Sequence, residues 1–144
     1  MTKNAQAAAS FAKGFSCSQA VLEAFSEELG LSREQALKIS QPFGGGIARM
    51  GEMCGAVTGA FLVIGLKHGR TRVEDEAAKE KTYALVHEFT NRFRALHGSI
   101  RCKDLLGCDL STPEGPREAH DKHLIDERCP MFVRSAVEIL EDLL

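Results

Sequence analysis

The segment that decides the fold is GEMCGAVTGAFLVIGLKHG, residues 51–69. Its apolar and small side chains predict a buried helix from about residue 53 to residue 68, ended by Gly69. The apolar run over residues 56–66 is well short of the roughly 20 residues that cross a bilayer. We therefore expect this helix at the centre of a protein core and no membrane span.

Two glycines lie four residues apart on one face of this helix. Gly55 and Gly59 flank the space beside Cys54, and glycine inside a helix costs about 0.5–1 kcal/mol relative to alanine. One interpretation is close packing against another helix, or against a second copy in a homodimer. The other is a binding role for both glycines, in which the bare groove opens the Cys54 sulfur to a substrate, a metal or a partner thiol. The spacing alone favours packing.

Helix start and stop signals recur along the rest of the chain, and no segment reads as a strand. Ser16 and Ser32 each begin a Ser-x-x-Gln capping box, and Pro130 is typical of the first turn of a last helix. Thr71 with Glu74 predicts the start of the longest helix.

That longest helix spans residues 72–97, and its apolar face includes Tyr83, Phe89 and Leu96. The glycine-rich segment before Cys54 is expected to be a flexible turn. Together these signals predict an all-α fold, a single domain over residues 1–144. Its architecture is a compact bundle of about six or seven helices around the small-residue helix.

Composition narrows the classes of protein. The chain has 144 residues, of which 44% are hydrophobic and 26% charged, as in soluble globular domains. Its 18 basic and 20 acidic residues leave no basic stripe, so nucleic acid is not an expected partner. No export signal precedes residue 15, which predicts a cytoplasmic protein. Five cysteines, an odd number, argue against a purely structural disulfide framework there.

Four of the five cysteines fall at predicted helix starts. They are Cys17, Cys54, Cys102 and Cys129. The free N–H groups and partial positive charge of a helix start favour a thiolate, the reactive and metal-binding form, although by less than about one pKa unit. Cations near these cysteines in sequence would add to the effect if they face the sulfurs: Arg49, Arg101, Lys103 and Arg128. Cys108 follows a helix end and is expected to be incidental.

The segments around these cysteines carry a resemblance. They are GFSCSQAVL (residues 14–22), GGGIARMGEMCGAVTGAFLVIGL (44–66), the isolated Cys102, and RCPMFVRSAVEIL (128–140). This combination resembles the bacterial and archaeal C_GCAxxG_C_C family, which is named for four cysteines and a CGAxxG element. The resemblance implies a small all-helical protein with a thiol-based redox role. A thiol oxidoreductase acting on an unknown partner protein or small molecule would fit that role.

Three hypotheses follow from the residues. In the first, two or more of Cys17, Cys54, Cys102 and Cys129 cycle between dithiol and disulfide, with no cofactor. The chain has no Cys-x-x-Cys, so the fold must assemble the exchanging pair. In the second, the same four cysteines hold zinc or an iron–sulfur cluster, although their long spacings match no common ligand pattern. In the third, the chain is a non-catalytic helical interaction module.

A histidine pair bears on the metal hypothesis. His120 and His123, three residues apart on a predicted helix, could join Cys129 in a mixed site. An exposed pair without a ligand is the favoured interpretation. Because helix starts favour thiolates and the spacing is not of metal type, the redox hypothesis ranks first. Which cysteine lies opposite Cys54 stays open.

Overall fold

The computed structural model describes residues 1–144, which fold into helices joined by short loops. The eight helices are α1 (Lys3–Ala12), α2 (Cys17–Ser26), α3 (Arg33–Ser40), α4 (Gly55–His68), α5 (Glu76–His97), α6 (Cys102–Leu106), α7 (Gly115–Asp121) and α8 (Leu124–Leu143). The only strand-like pairing is one β-bridge between Met53 and Arg101. The all-α prediction is confirmed. The structure has eight helices where six or seven were predicted, because it includes the short helices α6 and α7. None of the helices combines the length and apolarity that a bilayer crossing demands.

Helix α4 lies at the centre of the bundle, as the sequence predicts. It packs against α2, α5 and α8, and its Val63 and Ile64 side chains are fully buried. At Gly59 the approach of α2 is closest, since a Cβ there would lie only 2.9 Å from the Ser18 carbonyl oxygen. Helix α2 of the same chain therefore fills the small-residue groove. The packing interpretation is correct, and the groove offers no surface to a second copy.

Helix α5 begins later and buries less than the sequence predicts. Asp75 caps it in place of Thr71, because a carboxylate is the stronger acceptor for the free N–H groups of the first turn. Phe89 is fully buried, but Tyr83 and Leu96 are exposed. Among the helices, α5 packs mainly against α4 and α8, so much of its predicted apolar face is uncovered.

Helix α8 begins at Leu124, so the predicted start at Pro130 is wrong. His123 takes a left-handed conformation, with φ of 55°, and separates α7 from α8. Pro130 lies in the second turn, where the helix is continued on both sides despite one missing backbone donor. Two expectations fail as a result. Cys129 is not at a helix start, and His120 and His123 do not share a helix.

The glycine-rich segment forms an ordered left-handed turn instead of a flexible connector. All residues of 45–49 have positive φ, from 49° to 68°. Three of them carry a side chain, and the left-handed conformation costs each roughly 1–2 kcal/mol. Backbone hydrogen bonds hold the turn, including Ala48 N–H to the Pro42 carbonyl and Glu52 N–H to the Gly46 carbonyl, both 2.9 Å. The surrounding structure thus imposes a conformation that the residues alone would avoid.

Candidate functional site

A cavity of about 730 Å³ opens where the starts of α2, α4 and α6 meet the second turn of α8. Four cysteines line it: Cys17, Cys54, Cys102 and Cys129. Cys108 lies outside the cavity in a smaller apolar cluster, where its sulfur donates a long hydrogen bond of 3.7 Å to the Gly115 carbonyl. The fold therefore brings together the four cysteines that the sequence singles out and leaves the fifth apart.

Cys17 is the first residue of α2, and the predicted capping box places it. The Ser16 hydroxyl oxygen accepts the Gln19 N–H at 3.4 Å, while the Gln19 side chain accepts the Ser16 N–H at 3.0 Å. A Cβ on Gly55 would lie 3.3 Å from the Cys17 Cβ, which is tighter than ordinary contact. The bare backbone of Gly55 thus lets α2 bring Cys17 alongside Cys54.

The β-bridge positions Cys54 and Cys102 at the starts of α4 and α6. The Cys54 N–H donates to the Ile100 carbonyl at 2.7 Å, and the Cys102 N–H donates to the Glu52 carbonyl at 2.6 Å. Both cysteines directly follow the bridged pair, so their side chains leave the bridge on the same side. The two segments therefore deliver both sulfurs to one cavity.

The left-handed turn forms one wall of the cavity. At Gly46, which is buried and has φ of 68°, a Cβ would lie 2.5 Å from the Cys102 Cβ. Only glycine fits this close approach. Arg49 is the last residue of the turn, is exposed, and lines the cavity.

Cys129 lies half-buried in α8, close enough to Cys17 that each thiol shifts the pKa of the other. Asp126, three residues earlier on the same helix face, also lines the cavity. The Arg128 guanidinium is held elsewhere, because it donates to the Leu106 carbonyl at 2.7 Å. Cys17 and Cys129 are therefore neighbours in the cavity, while the cysteine opposite Cys54 is not decided by this pair.

Burial, more than the helix start, controls the acidity of two cavity thiols. Burial raises the pKa of Cys54 to about 12, although the N–H groups of Ala56 and Val57 act in the opposite direction. Burial likewise raises the pKa of Cys102 to about 12. The expectation of acidic thiols at helix starts is wrong here. A helix terminus contributes roughly 0.3–1 kcal/mol, whereas burial of an ionisable group can shift its pKa by several units.

Cys17 and Cys129 perturb each other in opposite directions. The hydrogen bond to Cys129, together with burial, raises the pKa of Cys17 well above its usual range. The same hydrogen bond lowers the pKa of Cys129. The two shifts favour the thiolate on Cys129 over the thiolate on Cys17. Cations are not among the main influences on either pKa.

The donor groups do not converge as a metal site. No three Cys, His, Asp or Glu side chains lie close enough together to hold one metal ion. Structural zinc sites and iron–sulfur clusters held by four thiolates need such convergence, so the donor set as arranged does not fit them. His120 and His123 are both exposed and do not line the cavity.

The sequence analysis missed Asp126 and the aromatic wall of the cavity. Asp126, Cys129 and Phe132 recur every third residue, which places them on one face of α8. Pro130 obscured this signal by suggesting a later helix start. The aromatic side chains of the wall are Phe11, Phe15 and Phe132.

The fold and the site define an all-helical protein with four free thiols around one cavity. The family model described as "Putative redox-active protein (C_GCAxxG_C_C)" matches residues 15–143. The chain belongs to this family, and the resemblance seen in the sequence is confirmed. Searches with the chain found no matching curated protein and no matching solved structure.

Proposed function

We propose that the protein performs thiol–disulfide exchange, with Cys129 as the attacking thiol and Cys17 as the resolving thiol. The observation that supports this proposal is that Cys17 and Cys129 line one cavity as neighbours, with opposite shifts of their pKa values that favour the Cys129 thiolate. All cysteines are free, so both thiols are available. The thiolate is the form that attacks a disulfide.

The exchange is a two-electron reaction in two steps. In the first, the Cys129 thiolate attacks one sulfur of the substrate, so that a mixed disulfide forms as the substrate S–S bond breaks. One half of the substrate departs as a thiolate and takes the Cys17 proton. In the second, Cys17 attacks the Cys129 sulfur and displaces the other half, which is protonated from solvent. The protein dithiol becomes a disulfide while the substrate disulfide becomes two thiols.

Cys54 and Cys102 line the same cavity as this exchanging pair and are neutral thiols. Cys54 is only 5% exposed, and with a pKa of about 12 for each, roughly one molecule in 10⁵ carries a given thiolate at pH 7. Neither competes with Cys129 for the substrate. The initial oxidation is therefore expected to involve Cys17 and Cys129 only.

Thiol counting after mild oxidation tests the proposal. We expect wild type to lose two titratable thiols reversibly, with peptide mapping placing the disulfide between Cys17 and Cys129. Cys129→Ser should keep its remaining thiols under the same conditions. Cys108→Ser is the matched control and should still form the disulfide, because Cys108 lies outside the cavity. If wild type keeps every thiol free, the proposal is wrong.

Metal chemistry is the competing outcome. Four thiols line one cavity, which is the number that a cluster or zinc uses. Anaerobic purification, an absorption spectrum and elemental analysis distinguish the two. A colourless protein without stoichiometric metal agrees with thiol exchange, whereas visible absorbance with iron and sulfide contradicts it.

A further inference from the structure

We infer that the substrate is a small zwitterionic disulfide of the amino-acid type, bound at the cavity mouth between Arg49 and Asp126. This inference rests on the proposed thiol–disulfide exchange and names the class of substrate for it. Three features of the cavity support it: its size, the two charges that line it, and the three-residue spacing of Asp126 and Cys129 on α8.

The size of the cavity favours a small molecule. Its volume of about 730 Å³ falls within the range of roughly 300–1,000 Å³ that is typical of small-molecule sites. The sulfurs are recessed, since Cys54 is buried and the other three cavity cysteines are only half-exposed. A substrate disulfide must therefore enter the cavity to reach Cys129. A small molecule can enter, whereas a disulfide held in the surface of a folded protein cannot easily do so.

A second cavity extends the first and gives room for the leaving half of the substrate. It has a volume of about 690 Å³ and shares Phe11, Gly14 and Asp126 with the first cavity. It follows α1 and α8. One half of a symmetrical disulfide can therefore lie over the sulfurs while the other half extends along this groove.

Two unpaired charges of opposite sign mark the cavity. Arg49 and Asp126 are the only charged residues that line it, and both are exposed. Neither takes part in an ion pair. In the adjoining cavity, by contrast, Arg134 is already paired with Glu138 at 3.0 Å. A guanidinium free to take a carboxylate and a carboxylate free to take an ammonium complement an amino-acid zwitterion.

The position of each charge fits the chemistry. Asp126 and Cys129 are three residues apart on α8, which places their Cβ atoms about 5–6 Å apart. In an amino-acid disulfide the sulfur is bonded to the carbon next to the one that carries the ammonium and carboxylate. An ammonium held by Asp126 therefore leaves the disulfide within reach of the Cys129 sulfur. Arg49 ends the left-handed turn, and the backbone hydrogen bond from its N–H to the Gly44 carbonyl (3.3 Å) fixes the place where its side chain begins.

Single-turnover exchange with four disulfides tests the inference. The probes are cystine (zwitterionic), dithiodipropionate (anionic), cystamine (cationic) and bis(2-hydroxyethyl) disulfide (neutral). We expect wild type to prefer cystine over the neutral probe. Arg49→Gln should slow cystine and dithiodipropionate by about fivefold, the upper range for a solvent-exposed ion pair, and leave the neutral probe unchanged. Asp126→Asn should slow cystine and cystamine relative to the neutral probe.

The neutral probe separates charge recognition from a change in the thiol itself. Asp126 raises the pKa of Cys129, so Asp126→Asn also changes the reactivity of the thiol. The rate of this variant with each charged probe is therefore divided by its rate with the neutral probe. Arg72→Gln is the matched control, because Arg72 is exposed and lies outside both cavities. Equal rates for all probes, or equal slowing of all four in Arg49→Gln, overturn the inference and leave the proposed exchange standing. If no probe reacts, not even the neutral one, the proposed function itself is wrong.

Discussion

In the proposed exchange, the proximity of two thiols decides which of them attacks the substrate. Cys54 and Cys102 are held protonated by burial, and Cys17 is held protonated by the hydrogen bond that it donates. Only Cys129 is shifted toward the thiolate, and the cause is the neighbouring thiol. In the proposed exchange, the roles of attacking and resolving thiol follow from these opposite shifts of pKa.

Replacing the donor should raise the pKa of Cys129. In Cys17→Ala the thiolate loses its hydrogen bond, so the inflection in a plot of alkylation rate against pH moves upward from the lowered pKa of wild-type Cys129. The rate at pH 7 falls about tenfold for each unit of this shift. The measurement is iodoacetamide labelling of Cys129, followed by mass spectrometry from pH 5 to pH 10.

Two further variants show whether the hydrogen bond is the cause. Cys17→Ser keeps an O–H donor, so its inflection should stay close to that of wild type. Cys108→Ala removes a thiol outside the cavity and should leave the Cys129 profile unchanged. If Cys17→Ala and wild type give the same inflection, Cys17 does not control the ionisation of Cys129.

At the scale of the element, the close approach of α2 to α4 builds the site. Helix α4 presents Gly55 and Gly59 to α2, and the Ser18 backbone lies where their side chains would be. This approach carries Cys17 to the start of α4. The glycines of the CGAxxG element therefore contribute to the site through packing and do not need to touch a ligand.

Alanine at two positions of α4 should have opposite effects on stability. A Cβ at residue 59 would lie 2.9 Å from the Ser18 carbonyl oxygen, so Gly59→Ala should lower the free energy of unfolding by about 1–3 kcal/mol. Gly65 has no atom within 4 Å of its Cβ position. Gly65→Ala should therefore raise the free energy by about 0.5–1 kcal/mol through helix propensity. Urea denaturation measures both, and equal effects would contradict close packing at Gly59.

Local signals in the sequence predicted the helices better than the tertiary contacts between them. The capping box at Ser16 and the apolar run of α4 depend on neighbouring residues, and both are confirmed. The predicted start of α8 at Pro130 was wrong, because tertiary packing overrides the preference of proline for the first turn of a helix. The contact between Cys17 and Cys129 joins α2 to α8, and no local pattern encodes it.

The whole molecule is arranged so that one disulfide would join distant parts of the chain. Helices α2 and α8 both contribute to the main core, which contains Val21, Phe25, Val133 and Val137. The Cys17 and Cys129 sulfurs lie at the cavity end of this packed pair. A disulfide between residues 17 and 129 would close a loop of roughly 110 residues, so oxidation should act on the stability of the complete bundle.

Oxidised protein should unfold at a higher urea concentration than reduced protein. A cross-link closing a loop of this length removes unfolded-state entropy worth roughly 5 kcal/mol. The folded state needs little rearrangement, because the helices that the cross-link joins are already packed together in the reduced form. Urea denaturation of both redox forms at the same pH measures the difference. Cys129→Ser exposed to the same oxidant is the control and should not be stabilised. If oxidised wild type is less stable than the reduced protein, forming the disulfide strains the bundle, and the sulfurs are not poised for exchange in the way proposed here.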